Sequence, residues 1–316
     1  MVKTAAVIHP PCEFTNVSKW YGDVIGINDV STELQPGITG LVGPNGAGKS
    51  TMIRLLTGQL RPSIGEVRIQ GLSSWSAEAK ARIGYCPDVD AFYEEMSGRR
   101  FVRTMARLHG FSRSEARQRT EEVLTQVDML DRANRRLAGY SKGMRQRIKL
   151  AQALVHDPDL VVLDEPLNGV DPVGRRELVQ LFHRLAEAGK AVLVSSHILD
   201  DMDSLADQIW FICRGRLLAS GTLEQIRDML DDHPLHVRIT TDNLRCLVRE
   251  LVTHGSVRGL QIESSIDVTV EVEHPKQFYQ QFAEVVAEGD YEIQRLQVLD
   301  ASTEAIFDYL MERRMV

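Results

Sequence analysis

The amino-acid sequence predicts a two-domain α/β protein: a parallel sheet with helices, carrying a β-rich lead-in and a helical insertion, followed by a smaller α+β domain. Three observations predict it. Strand-length apolar runs alternate with helically spaced stretches across the first two thirds of the chain, the pattern of a parallel sheet with helical crossovers. A glycine-rich loop, Gly43–Ser50, sits between one such strand and one such helix. Charge divides unevenly, with 28 Lys+Arg against 26 Asp+Glu in residues 1–221 and 9 against 18 in residues 222–316, within a net charge of −7. A length of 316 residues accommodates about two domains, and 43% apolar with 26% charged residues excludes disorder.

In chain order, Glu13–Lys19 and Ile27–Leu34 read as short strands of mixed alternation, followed by a turn at Pro36-Gly37. Ile38–Val42 is an apolar strand running into the glycine-rich loop, and Ser50–Leu60 spaces Ile53, Leu56 and Leu60 as a helix does. Glu66–Gln70 and Ile83–Cys86 are strand-like runs ended by Gly71 and Pro87. From Ser97 to about Asp157 the pattern is helical. Ser112-x-x-Glu115 forms a capping box that opens a helix to about Met129, and Ser141 to His156 forms a second helix. Leu160–Leu163 and Ala191–Val194 are strands, joined through a helix begun by Asp171 with Pro172 in its first position. Ile209–Cys213 and Arg216–Ala219 flank Arg214-Gly215 as a hairpin, and Thr222-x-x-Gln225 is another capping box.

Asp231-Asp232-His233-Pro234 marks a linker, dividing the chain into residues 1–230 and 231–316. Beyond it come strand Leu235–Thr240, helix Leu244–His254, strands Val257–Glu263 and Val268–Val272, helix Phe278–Ala287, strand Tyr291–Val298 and helix Thr303–Arg313. That βαββαβ order fits a ferredoxin-like sandwich.

Several function classes fall away. Runs such as Leu160–Leu163 and Ile209–Cys213 are far shorter than the roughly 20 apolar residues of a membrane span, and no apolar leader opens the chain, so it reads as cytoplasmic. Cys12, Cys86, Cys213 and Cys246 are scattered without C-x-x-C spacing and read as small buried hydrophobes, not as a metal or disulfide framework. An acidic C-terminal part does not track a phosphate backbone, so nucleic acid is not an expected partner.

Gly43-Pro44-Asn45-Gly46-Ala47-Gly48-Lys49-Ser50 fits G-x-x-x-x-G-K-[ST], and Thr51 continues it into the helix. Glycines let backbone N–H groups curl around phosphate oxygens, and the helix N-terminus favours the anion. Lys49 then reaches the outer phosphates and Ser50 ligates Mg²⁺. Asp164 and Glu165 follow an apolar strand, where α/β sheets expose their working groups. Asp164 is a candidate for Mg²⁺ and Glu165 for polarising the attacking water. Without the loop, the pair would read as two solvated acids.

Tyr140-Ser141-Lys142-Gly143-Met144-Arg145-Gln146, shortly before that strand, resembles the signature motif of ATP-binding cassette (ABC) ATPases. The resemblance covers roughly residues 12–221. Within it Tyr21 resembles the aromatic that stacks on adenine, Asn168-Gly169-Val170-Asp171 resembles the D-loop, and His197 resembles the switch histidine at the γ-phosphate. Singly these read as half-buried packing, a helix cap and a satisfied histidine. Their order and spacing carry the likeness. The family pairs two ATPase domains head-to-tail, each ATP lying between one phosphate loop and the other subunit's signature. The resemblance therefore implies that Ser141, Lys142, Gly143 and Met144 act in trans, that Asp171 faces the partner, and that the chain pairs with a second copy or a paralogue. The whole layout resembles ATPase subunits of type-2 ABC exporters, which implies ATP and Mg²⁺ as ligands, separate transmembrane permease subunits as partners and a peripheral place on the cytoplasmic face of the membrane. A soluble ABC ATPase of ribosomes or DNA, and a nucleotide-binding regulatory subunit with little turnover, are the competing classes.

Two residues depart from the family pattern. Lys142 replaces a common signature glycine. Asp88, in Tyr85-Cys86-Pro87-Asp88, stands where the family has the Q-loop glutamine and is a candidate Mg²⁺ ligand. At about 4 Å and an effective dielectric near 20, its attraction to Mg²⁺ and its repulsion from the γ-phosphate are each about 4 kcal/mol. The expectation is Mg²⁺-dependent hydrolysis that is slowed. Finally, Arg99, Arg100, Arg103, Arg107, Arg113, Arg117 and Arg119 crowd the helical insertion, as a solvated helix face or as a surface for acidic headgroups or a membrane subunit.

Overall fold

The computed structural model describes residues 9–228, 235–253, 256–289, 292–299 and 302–313. The chain divides into two compact units, Met1–Thr222 and Leu223–Val316. The expected linker at 231–234 lies outside the described residues, as do His254 and Tyr291 at two expected element ends.

The first unit opens with β1 (Cys12–Tyr21), β2 (Val24–Leu34), β3 (Gly37–Val42), α1 (Lys49–Leu56), β4 (Ile64–Ile69), β5 (Leu72–Ser73), α2 (Ala77–Ala81) and β6 (Ile83–Cys86). Then come α3 (Gly98–Leu108), α4 (Arg113–Gln126), α5 (Lys142–Leu154), β7 (Leu160–Leu163), α6 (Pro172–Glu187), β8 (Ala191–Ser196), α7 (Asp200–Asp203), β9 (Gln208–Cys213) and β10 (Arg216–Gly221). One sheet is antiparallel, in the order β2-β1-β4-β5. The other has the order β10-β9-β3-β8-β7-β6, parallel throughout except for the β9–β10 hairpin. β7 and β8 are buried along their whole length, as strands covered on both faces must be, which is why they read as unbroken apolar runs. Phe14 of the first sheet meets Trp210 of the second edge-to-face at 6.1 Å, and both belong to one continuous core.

Local chemistry explains the element ends. α1 stops at Leu56, short of the expected Leu60, because the Thr57 hydroxyl donates to the Ile53 carbonyl at 2.8 Å and Gly58 turns the chain at φ 66°. The capping box at Ser112 is present in both directions: the Glu115 N–H donates to the Ser112 hydroxyl, and the Ser112 N–H to the Glu115 carboxylate. The helical insertion is less continuous than expected. Asp128 at φ 55° ends the run after α4, and a single 3₁₀ turn, Leu137–Gly139, precedes α5. Arg214-Gly215 makes the predicted hairpin turn, both residues having positive φ.

In the second unit α8 (Leu223–Asp228) precedes β11 (Leu235–Thr241), α9 (Leu244–Val252), β12 (Val257–Ile262), β13 (Asp267–Val272), α10 (Pro275–Glu288), β14 (Ile293–Val298) and α11 (Thr303–Arg313). The four strands form an antiparallel sheet, β12-β13-β11-β14, in the βαββαβ order read from the sequence. Strict alternation along β11 turns Leu235, Val237, Ile239 and Thr241 inward, where the apolar three join Leu247 of α9 and Phe278 of α10 in a core. Of the cysteines, Cys12, Cys86 and Cys213 are buried as expected, whereas Cys246 is exposed on the polar side of α9.

Candidate functional site

Four adjacent parallel strands deliver the candidate residues to one edge. β3 ends at the glycine loop, β7 at Asp164, β8 at His197 and β6 just before Asp88, in a register that pairs Val42 with Ser196 and Leu163 with both Cys86 and Val194. A cavity of about 420 Å³ there is lined by Tyr21, Val24–Gly26, Pro44–Thr51, Asp88, Asp164 and Glu165.

The loop cannot be built from other residues. A Cβ on Gly43 would collide with the Ile212 carbonyl, and Gly46 and Gly48 hold φ of 79° and 114°. Gly48 caps α1, whose first turn has neither an acid nor a side-chain cap, so its first N–H groups face an incoming anion. Lys49 is buried and folds back on the loop, donating to the carbonyls of Gly43 at 2.5 Å and Pro44 at 3.3 Å. Burial depresses its pKa, against the opposing pull of Glu165 and Asp164.

The two acids are held differently. Asp164 is buried and accepts the Ser195 hydroxyl at 2.7 Å, and burial raises its carboxyl above the usual range, with the charge of Asp88 adding to the effect. Glu165 occupies the left-handed region at φ 49°, which is costly for a residue with a Cβ. Its N–H donates to the Ser195 hydroxyl at 2.9 Å, one carboxylate oxygen accepts from His197 Nδ1 at 2.8 Å, and the other lies 3.8 Å from Lys49 Nζ. Ser195 thus bridges both acids, a role the sequence did not single out. Tyr21, half exposed, puts its hydroxyl 3.4 Å from that of Thr51 and its ring against Gly26 at the cavity's edge.

The segment after β6 is fastened to α5. Buried Lys149 donates to the Asp88 carbonyl at 2.7 Å and pairs with Asp90 at 3.2 Å. Arg145 grips Glu94 with two bonds of 2.7 Å, and the Gln146 amide reaches Cys86 Sγ at 3.4 Å. Lys149 did not stand out in the sequence, and Arg145 was visible there only as part of the signature-like run, with no sign of its hold on Glu94.

His197 does not line the cavity and meets it only through Glu165, and two further expected groups stay away from it. Ser141, Lys142, Gly143 and Met144 open α5, where the Ser141 hydroxyl caps the helix by accepting the Met144 N–H at 3.3 Å. Asp171 caps α6, accepting the N–H groups of Val173 and Gly174, which hold its carboxyl below the usual range. Lys142 extends over Gly169, so that a Cβ there would collide with its ammonium. Among the described residues no three His, Cys, Asp or Glu gather as a metal cage. The oxygen donors Ser50, Asp88 and Asp164 bordering one cavity nevertheless fit a hard cation that arrives with phosphates.

Comparison with known proteins places the fold. The ABC transporter family model matches residues 27–168. An ABC transporter ATP-binding protein of Nostoc sp. is 38% identical over 64% of this chain, and the match spans 62% of that relative's length, less than two thirds. The linearmycin resistance ATP-binding protein LnrL of Bacillus subtilis is 30% identical over 95% of this chain and 98% of its own. The chain belongs to the ABC transporter ATP-binding proteins. A solved ATP-binding subunit of an ABC transporter superposes with a TM-score of 0.64 at 29% identity, covering 69% of this chain and 92% of the other. The cassette is thus an ATPase of the ABC transporter family, and a cassette of the same fold, 23% identical with a TM-score of 0.61, is solved as a dimer bound to ADP and Pi. No helix among its described residues is long and apolar enough to cross a membrane.

Proposed function

We propose that this cassette hydrolyses MgATP at the seam between two copies, or between itself and a paralogue, and so drives a separate pair of transmembrane subunits in export. The observation that carries the reading is Glu165, held in a strained backbone by Ser195 with His197 and Lys49 on its two oxygens, beside a phosphate loop. A carboxylate fixed there orients a water and accepts its proton, while Lys49 leaves the loop carbonyls for the outer phosphates. Because Nδ1–H of His197 serves Glu165, Nε2 is the ring nitrogen left for the substrate. Tyr21 supplies a ring face for the base. Ser50, Asp164 and Asp88 would hold Mg²⁺, which when bound neutralises phosphate charge.

Ser141 to Met144 and Asp171 lie outside the cavity of their own chain, which agrees with their serving the partner's nucleotide. Beside the Met144 N–H that Ser141 caps, the remaining first-turn N–H groups of α5, with no acid in that turn, suit a γ-phosphate arriving from across the seam. The full-length likeness to a protein named for linearmycin resistance supports export. Residues 231–316 are read as an accessory domain, and the working place as the cytoplasmic face of the membrane.

Phosphate release by the purified protein tests the reading. Glu165→Gln should retain ATP binding and lose turnover by about a hundredfold or more. Unchanged turnover in that variant would refute the catalytic assignment.

A further inference from the structure

We propose that the groove between α3 and α4 docks on the phosphates of anionic lipid headgroups. Of the seven arginines in the insertion, two are already satisfied. Arg99 pairs with Glu121 and bonds Asn134, and Arg119 pairs with Glu122 at 3.5 Å. The other five, Arg100, Arg103, Arg107, Arg113 and Arg117, line one groove of about 480 Å³ together with Thr104. All five are exposed. No acid lines the groove, and the ion pairs among the described residues include none of the five. Arg107 donates to the Phe111 carbonyl, and the neighbouring acid Glu115 is committed to the Ser112 cap.

Packing does not explain this placement. Residues 100, 103, 104 and 107 share one face of α3, opposite the buried Phe101, Val102 and Ala106, and residues 113 and 117 lie one turn apart on α4. A merely solvated face would mix both signs. Five cations in one concavity repel each other, and an anion relieves that repulsion. The guanidinium fork matches phosphate oxygens two at a time. Phosphate could be offered by a lipid or by a free anion. Leu108, 75% exposed beside Arg107 where α3 ends, favours the lipid, because an apolar side chain next to the cations gains only where an apolar layer underlies the phosphates. The chain as a whole carries −7, so an anionic bilayer repels most of its surface and this groove would set which face turns inward. None of these residues borders the nucleotide cavity, so the inference stands apart from the catalytic reading.

Vesicle flotation of the full chain tests it. Binding is expected to vesicles containing phosphatidylglycerol and not to pure phosphatidylcholine, and it should weaken with salt. Arg103→Gln and Arg113→Gln should each lower it about fivefold, and together about 25-fold, with ATP hydrolysis in solution unchanged. Arg245→Gln with Arg249→Gln, the same charge change on exposed positions of α9, should leave binding intact. Equal binding by the groove variants, equal loss in the α9 control, or equal binding to neutral vesicles would overturn the proposal. So would calorimetric binding of free tripolyphosphate, or capture of an acidic membrane-subunit loop, by a protein that ignores anionic vesicles.

Discussion

Asp88 shows what a single residue decides at this site. It puts a third carboxylate beside Asp164 and Glu165 on a cavity that must accept a triphosphate, and its charge already helps push the Asp164 carboxyl upward. Repulsion of the γ-phosphate and attraction of Mg²⁺ are of similar size, and the expected slowing requires the repulsion to prevail. Asp88→Gln should therefore raise turnover about two- to tenfold and alter the Mg²⁺ concentration for half-maximal rate, as steady-state phosphate release across a metal titration will show. No change in either quantity would remove Asp88 from the reaction. At this scale the phosphate loop was fully legible, because its chemistry lies in eight consecutive residues. Ser195 was not. Of the adjacent Ser195 and Ser196, which one meets the acids is settled by the register of β8 against β7, and a single sequence does not print that register.

At the scale of elements, α5 joins the signature to the segment that carries Asp88. Its buried face is not purely apolar: Lys149 spends its ammonium on the Asp88 carbonyl and on Asp90. Lys149→Met keeps the stem's volume but orphans that carbonyl, at a cost of about 1–3 kcal/mol. It should also shift the metal dependence in the direction of Asp88→Gln, whereas a purely structural lysine would lower Tm alone, and Lys149→Arg should restore part of both. The turn just beyond α5 has a second polar contact. His156 donates Nε2–H to the Ile83 carbonyl at 3.1 Å and stacks on His109, ring centroids 3.9 Å apart. Burial is the main cause that pushes its pKa down to about 4, with the His109 charge second. The unfolded chain takes up this proton below its ordinary value near 6.5 and the folded chain only near 4, so stability falls as pH drops through that window. The loss reaches roughly 3 kcal/mol at most. Thermal melts from pH 7 to pH 4 should show it, and His156→Gln should flatten the slope. An unaltered slope would assign the acid sensitivity to other groups. Long periodic elements such as α4, α5 and α6 were readable from the sequence. α2 and α7, of five and four residues, were not, being too short to display a helical period.

For the whole molecule, the sequence pointed to two modules meeting at 230/231, whereas the structure's two compact units are Met1–Thr222 and Leu223–Val316, which groups α8 with the second. Within the first unit, however, the proposed catalytic set is incomplete. The cavity gathers the phosphate loop, Asp88, Asp164 and Glu165, while Ser141 to Met144 border none of it. The sequence offers one phosphate loop and one signature, and the proposed service of the signature in trans agrees with that separation. In the proposed mechanism each site is finished by another chain. Mixing two inactive variants measures that claim most directly. Lys49→Ala removes phosphate binding from its own chain, and a bulky replacement, Ser141→Arg, blocks the seam it offers to a partner. Each variant should be inactive alone, and the mixture should recover about a quarter of wild-type phosphate release, since random pairing makes half of the dimers mixed, with one intact site in each. A mixture as inactive as its two components would contradict it.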